Sequence, residues 1–377
     1  MSQQKSQMSL PIFSKIAPHE FLIANLRVPG EGDSSSDDEG TRPNGRAPSK
    51  GREFEVNAGS LSQAHGSTAL RLGRTSVICG VRGEILPVDS IPQFRPSTVA
   101  SETDDAASVE ADNRRQLRDY DLLVPNLELS TGSAPEFLPG GPPSVLAQVL
   151  STRLYALLHS SGLVDAECLK IWHQKETKKS TESMDVDDDE EEEEEEEPQV
   201  KAYWTLYIDI VFLSFDGNPF DAAWAAILAA LRDTRLPHAR WDADRDRVVC
   251  SPAAVEPSVP LTLRGLPVAT TAVVCVQNKK KQQRQSSEAA GAHWILTDPD
   301  RLEETDCRES ITVVVDRQEV DSKKKGKKTS KTVERKTVVR ALSKTGGVLV
   351  GPDDMHALVA TAEQRWASMA KALGQGP

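Results

Sequence analysis

Two groups of carboxylates stand out. Asp209, Asp216 and Asp221 cluster around one apolar run and the turn after it, and Asp298, Glu303, Glu304 and Asp306 crowd a second short stretch. Carboxylates placed this way can hold Mg²⁺ or work as an acid–base pair. The same residues also have plainer roles. Asp216 starts an Asp-Gly-Asn-Pro turn, and Asp221 opens a helix, where a carboxylate satisfies free N–H groups. The second group is expected in a solvated loop. Two lysine runs, at 279–281 and 323–328, suit RNA phosphate, nuclear import or solvated hairpin extensions.

The cysteines are Cys79, Cys168, Cys250, Cys275 and Cys307, with no CxxC pair. Neither a metal site nor a small disulfide framework is expected from such spacing. Four of the five adjoin apolar sequence, which predicts buried thiols in a reducing compartment. The seven histidines are dispersed, with no HxxxH or Ser/His/Asp grouping. No metal and no cofactor is expected.

The elements that must position these groups occupy a chain of 377 residues, enough for a two-lobed unit with inserts. At 38% hydrophobic, the core is diluted by polar segments. The net charge of −12 is local, because residues 185–197 hold twelve acids and the remainder balances at 45 acidic and 45 basic residues. That acidic run reads as a solubilising insert. No signal-peptide pattern opens the sequence. The longest apolar stretch, ten residues from Ala222 to Leu231, falls short of the roughly twenty that cross a bilayer. A soluble, intracellular protein is the expectation.

Residues 12–27 read as one short amphipathic helix, and 1–41 as that helix plus a flexible insert. From residue 54, β-rich runs punctuated by Gly59, Gly66, Gly73 and Gly80 predict an antiparallel meander. Residues 87–119 are polar and charged and read as a disordered insert, and 174–199 as another. A strand is predicted over 121–129. A helix follows Pro142 and Pro143, with apolar positions Val145, Val149, Leu154, Leu157 and Leu158. Leu169 to Trp172 and Tyr203 to Phe215 read as strands, and Asp221 to Leu231 as a helix buried between layers. The later strands are expected at 261–263, 268–276, 294–297, 311–315 and 337–342, before a helix over 352–373. This order predicts an α+β fold of two β-sheet and helix layers, with lobes at 42–250 and 251–377.

Several motifs carry a resemblance. Arg42-Pro43-Asn44-Gly45-Arg46 is followed by Ala64-x-Gly66-Ser67 and Leu72-Gly73-Arg74-Thr75-Ser76-Val77. These resemble the RPDGR, AxGS and LGxTxV of RNase PH-like domains, with Asn44 for the usual Asp. Val124-Pro125-Asn126, Asp216-Gly217-Asn218, Leu296-Thr297-Asp298-Pro299 and Lys344-x-Gly346-Gly347 look more like ring subunits of the eukaryotic RNA exosome. The resemblance spans most of 42–373 and implies the RNase PH-like fold (ribosomal protein S5 domain 2-like).

Active members of this family look like phosphorolytic exoribonucleases, which need cations around a transferring phosphoryl group and a carboxylate. Their arginine-rich stretch corresponds here to 137–143, which holds no basic residue. Their GTR cradle corresponds to Asn218-Pro219-Phe220, and their aspartate to Ser310, with Glu309 beside it. The resemblance therefore implies no catalytic residue and a structural ring subunit; the alternative is an active phosphate-dependent exoribonuclease. It further implies partners: other RNase PH-like subunits, an S1-domain cap subunit, hydrolytic exoribonucleases and RNA, in nucleus, nucleolus and cytoplasm. Arg71 and Arg74, at a turn that tends to face the ring's pore, and Lys323, Lys324 and Lys325 are the candidate RNA contacts. No membrane is involved.

Overall fold

The structure, a computed structural model, describes residues 10–26, 40–95, 106–173, 199–252, 254–276, 293–319 and 335–374. The acidic run and both lysine runs lie outside the described residues.

The chain begins with helices α1 (Leu10–Ile16) and α2 (Pro18–Asn25). The single helix expected over 12–27 is thus two. Pro18 forces its predecessor out of the helical region, and Ala17 sits at φ −137°, ψ 71°. Strands β1 (Phe54–Ala58), β2 (Gly66–Leu72) and β3 (Thr75–Pro87) form the predicted meander. Helix α3 (Ala106–Asp119) then occupies part of the stretch expected to be a disordered insert. Its polar composition is that of a surface helix with a narrow buried stripe: Leu117 is 1% exposed, and buried Asn113 accepts a hydrogen bond from the Ala166 N–H.

Next come β4 (Leu123–Leu129), α4 (Val145–Ser160), β5 (Lys170–His173), β6 (Gln199–Ser214) and α5 (Pro219–Asp233). The first sheet runs β1-β2-β3-β6-β4, with β5 also on β6. Long strand β6 is its spine: it pairs antiparallel with β3 and β5 and parallel with β4.

The short strands β7 (Arg235–Leu236), β8 (Ala239–Asp242), β9 (Arg247–Cys250) and β10 (Val259–Pro260) form two small pairs. A strand over 261–263 does not form, because Leu263 makes only an isolated bridge to Val164. Then follow β11 (Val268–Val276), β12 (His293–Thr297), α6 (Arg301–Asp306), β13 (Ser310–Glu319), β14 (Arg335–Thr345) and α7 (Pro352–Ala372). The second sheet is antiparallel, in the order β12-β11-β13-β14.

Helix α5 packs between the two sheets, against β2 and β3 on one side and β11 on the other. Every residue from Pro219 to Leu231 is buried, as the all-round apolar sequence requires. The Trp224 indole donates to the Pro267 carbonyl (2.6 Å) and that of Trp366, on α7, to the Leu266 carbonyl (2.8 Å), so both large rings bury without stranding their N–H groups. Cys79, Cys275 and Cys307 are buried as expected, whereas Cys168 and Cys250 are exposed.

Candidate functional site

The two carboxylate groups regroup in space. Asp209 leaves its cluster: it lies mid-strand on β6, beside Asn126, whose amide donates to it at 3.2 Å. It stands five residues, about 16 Å, short of the strand's end. Asp216 and Asp221 stay at the turn, and there they meet the second group.

That second group is not solvated. Asp298 and Glu303 are wholly buried, because cations from the N-terminal motif reach them. Arg52 gives Asp298 two bonds, Nε at 2.9 Å to Oδ2 and Nη2 at 2.8 Å to Oδ1. Arg46 adds an ion pair at 3.2 Å, and the Asn218 amide donates at 2.7 Å. Burial alone would raise the Asp298 pKa. The Arg52 hydrogen bonds and the charges of Arg365 and Arg52 overcome it and hold the carboxyl well below the usual range. Arg42 binds Glu303 at 3.2 Å in a pair with no exposed surface, and also donates to the Thr297 (2.6 Å) and Pro48 carbonyls. Burial pulls the Arg42 pKa down to about 10 and raises that of Glu303, against their mutual attraction. The capping box of α6, in which Asp300 and Glu303 bond each other's backbone N–H, fixes the loop.

The remaining motifs converge on the same point. The Thr75 hydroxyl accepts from the Asp216 N–H (3.1 Å) and donates to the Gly217 carbonyl (3.0 Å). Gly217 has φ +76°, and a Cβ there would land on the Asp300 backbone, so only glycine fits the turn. Asp221 accepts from the Thr271 N–H (2.8 Å) and hydroxyl (2.7 Å), tying α5 to β11. The Asp221 carboxylate therefore joins the two sheets, and it has its protein partners already.

A cleft of about 370 Å³ opens beside this hub, lined by α4, the start of α5, α6 and the start of β13. Phe220 and Ser310 both line it, and Glu136 borders it just before the 137–143 stretch, so two of the three positions that depart from the family pattern share one cavity. Phe220 presents its ring to Arg153, whose guanidinium stacks at 4.1 Å and also donates to the Thr312 hydroxyl (3.0 Å). Arg301 is paired with Glu136 at 3.0 Å. Glu309 turns away and accepts from the Val348 N–H at 2.8 Å. Glu304 sits at the head of α5, accepting from the Asn218 N–H at 2.8 Å, and burial pushes its pKa up to about 8. Sequence reasoning missed Arg153 and Arg301 as cleft residues, and it expected Glu304 in a solvated loop and not in a cleft. Only the helical phase of α4 and the short α6 could have signalled them.

Arg71 and Arg74 are exposed at the β2–β3 turn, and Arg71 makes a loose pair with Glu55 at 3.9 Å. Lys323, Lys324 and Lys325 lie outside the described residues. A second cleft of about 410 Å³ lies on the outer face of the first sheet, beside Arg82 and Asp209.

This is the architecture of an RNase PH-like domain. The chain is similar to one from a structure described as the Archaeoglobus fulgidus exosome with RNA bound to the active site. That match has a TM-score of 0.56 and 21% identity, and covers 96% of this chain and 98% of that one. A chain of an archaeal exosome core gives 0.51 at 20% identity, covering 87% and 91%. The family model for the 3′ exoribonuclease family, domain 1 (RNase PH), matches residues 50–237. Exosome complex component rrp43 of Schizosaccharomyces pombe is 32% identical over 247 residues, 65% of this chain and 68% of the relative. Exosome complex component Rrp42 of Methanopyrus kandleri is 28% identical over 265 residues, 70% and 73% of the two chains. The chain belongs to the RNase PH-like family of exosome components.

Proposed function

We propose that this chain is a structural subunit of the exosome core ring, similar in role to rrp43, and that it does not itself cleave RNA. It supports 3′-to-5′ RNA processing and degradation, including rRNA maturation and mRNA turnover, by building the ring and its RNA channel. Its partners in this reading are the other RNase PH-like subunits, the S1-domain cap subunit, associated hydrolytic exoribonucleases and RNA. It works in nucleus and cytoplasm, and in the nucleolus for rRNA.

The observation that carries the non-catalytic part is the occupation of the cleft. A phosphorolytic site must receive inorganic phosphate, and a helix N-terminus is a natural cradle for it. Here the head of α5 lacks an N–H at Pro219, and the Asn218 N–H already holds the Glu304 carboxyl. Phe220 fills the position of the cradle arginine and engages Arg153. Ser310 cannot supply the proton of a carboxylic acid. Loss of one transition-state contact costs about 10²–10³ in rate, and three are lost together.

Exposed apolar side chains support the ring reading. Leu138 and Val145 are each 77% exposed and Val149 is 49% exposed, on the α4 side of the molecule. Arg71 and Arg74 are the candidate RNA contacts.

The test is co-expression with the other ring subunits, the mass of the particle, and RNA digestion with and without phosphate. One copy in a hetero-oligomeric ring, with no phosphate-dependent cleavage from this subunit, is expected. A homo-oligomer releasing nucleoside diphosphates would make it an exonuclease.

A further inference from the structure

The side chains of His19 on α2, Cys275 on β11 and Asp306 at the end of α6 converge although 256 and 31 residues separate them in sequence. One donor atom from each lies within 4.8 Å of the others. His19 Nδ1 is 2.7 Å from Asp306 Oδ2, which fixes the imidazole ring. The other ring nitrogen, Nε2, is buried and has no hydrogen-bond partner in the structure. A buried, unsatisfied nitrogen on an imidazole held by a carboxylate is how zinc-binding histidines are presented.

We propose that His19, Cys275 and Asp306 bind a thiophilic divalent cation, Zn²⁺ by the chemistry of the set, and that the ion staples α2 to the second sheet. This goes beyond the scaffold reading and does not depend on it.

Thiolate, imidazole and carboxylate are the three donors zinc prefers, whereas Mg²⁺ and Ca²⁺ want oxygen shells. The charges balance: one thiolate and one carboxylate neutralise a dication, and the thiol proton leaves to solvent on binding. Zinc–ligand distances of about 2.0–2.3 Å put tetrahedral donors roughly 3.3–3.7 Å apart, so the 2.7 Å His19–Asp306 contact need only open by under about 1 Å for both to ligate. His19 and Asp306 keep 27% and 11% side-chain exposure, which leaves an entry path. The surroundings are apolar: Leu22 of α2 and Leu26 just after it pack with Val273, Trp294, Leu296 and Cys307 around Cys275. The sequence offers no paired cysteines, and this site draws on one, which the fold brings to a histidine and an aspartate.

The experiment uses the full-length chain without a polyhistidine tag, purified reduced. Zinc content is measured per chain, Co²⁺ is titrated by absorbance, and melting is followed with and without Zn²⁺. About one Zn²⁺ per chain, a thiolate-to-cobalt charge-transfer band and a melting rise with Zn²⁺ are expected. Cys275→Ser and Asp306→Asn should weaken binding at least about 100-fold, and a Cys168→Ser, Cys250→Ser chain should bind as the parent does. Should Cys275→Ser fail to fold, the near-isosteric Asp306→Asn carries the test through its lost melting rise. Absence of stoichiometric metal and of the charge-transfer band would overturn the proposal. So would binding that depends on the exposed Cys168 and Cys250.

Discussion

A carboxylate with no exposed surface survives in an interior only where cations meet it, and Asp298 is met by Arg46 and Arg52 directly. Arg52→Ala would leave that charge under-compensated, so a loss of about 3–5 kcal/mol in urea unfolding is expected. Glu304 behaves oppositely. Its folded pKa is raised from 4.5 to about 8, so the folded chain keeps a proton that the unfolded chain gives up. Stability from this group is full below about pH 4.5 and falls as pH rises toward about 8. Glu304→Gln should flatten the urea midpoint across that window; an unchanged slope would assign the pH dependence elsewhere. Asp298 works at the acid end, since its depressed pKa gives stability that disappears as pH falls below the ordinary carboxylate range. Gly217→Ala combines positive φ with a backbone collision, and should cost more than about 1 kcal/mol. At this scale the sequence shows which residues carry charge but not which are buried. Asp298 and Glu303 look solvated until Arg42, Arg46 and Arg52 arrive from some 250 residues earlier. The RPNGR and LTDP motifs are the two halves of that clamp, legible as a resemblance and not as a contact.

Elements were easier to read where periodicity and burial agree. Strand β11 and helix α5 follow continuous apolar runs, and their limits fall within two residues of the sequence expectation. Helix α4 shows where periodicity misleads: Leu154, Leu157 and Leu158 are buried as predicted, but the inward face continues through Leu150 and Ala147, leaving Val145 and Val149 outside. A helix wide enough to be apolar on two faces has one partner within the chain and room for another. Val149→Asp should therefore leave the isolated chain's stability within about 0.5 kcal/mol yet lower its incorporation when ring subunits are co-expressed. Equal incorporation would remove this face from the assembly surface. Helix α3 was missed because its charged composition resembles a solvated insert, and a single buried Leu117 is too narrow a signal.

For the whole molecule, the two-sheet α+β plan was visible in the order of strand and helix signals, whereas the pairing was not. Nothing local says that β6 receives β3 on one side and β4 and β5 on the other. That arrangement has a consequence for chain continuity. Residues 174–198 join β5 to β6, and all three partners of β6 lie before that stretch. A specific-protease site placed there would cut the polypeptide in two, yet three ladders of backbone hydrogen bonds span the break. The nicked protein should run as two bands on a denaturing gel and elute as one particle under native conditions, so two separately expressed fragments should reassemble as halves of a split protein.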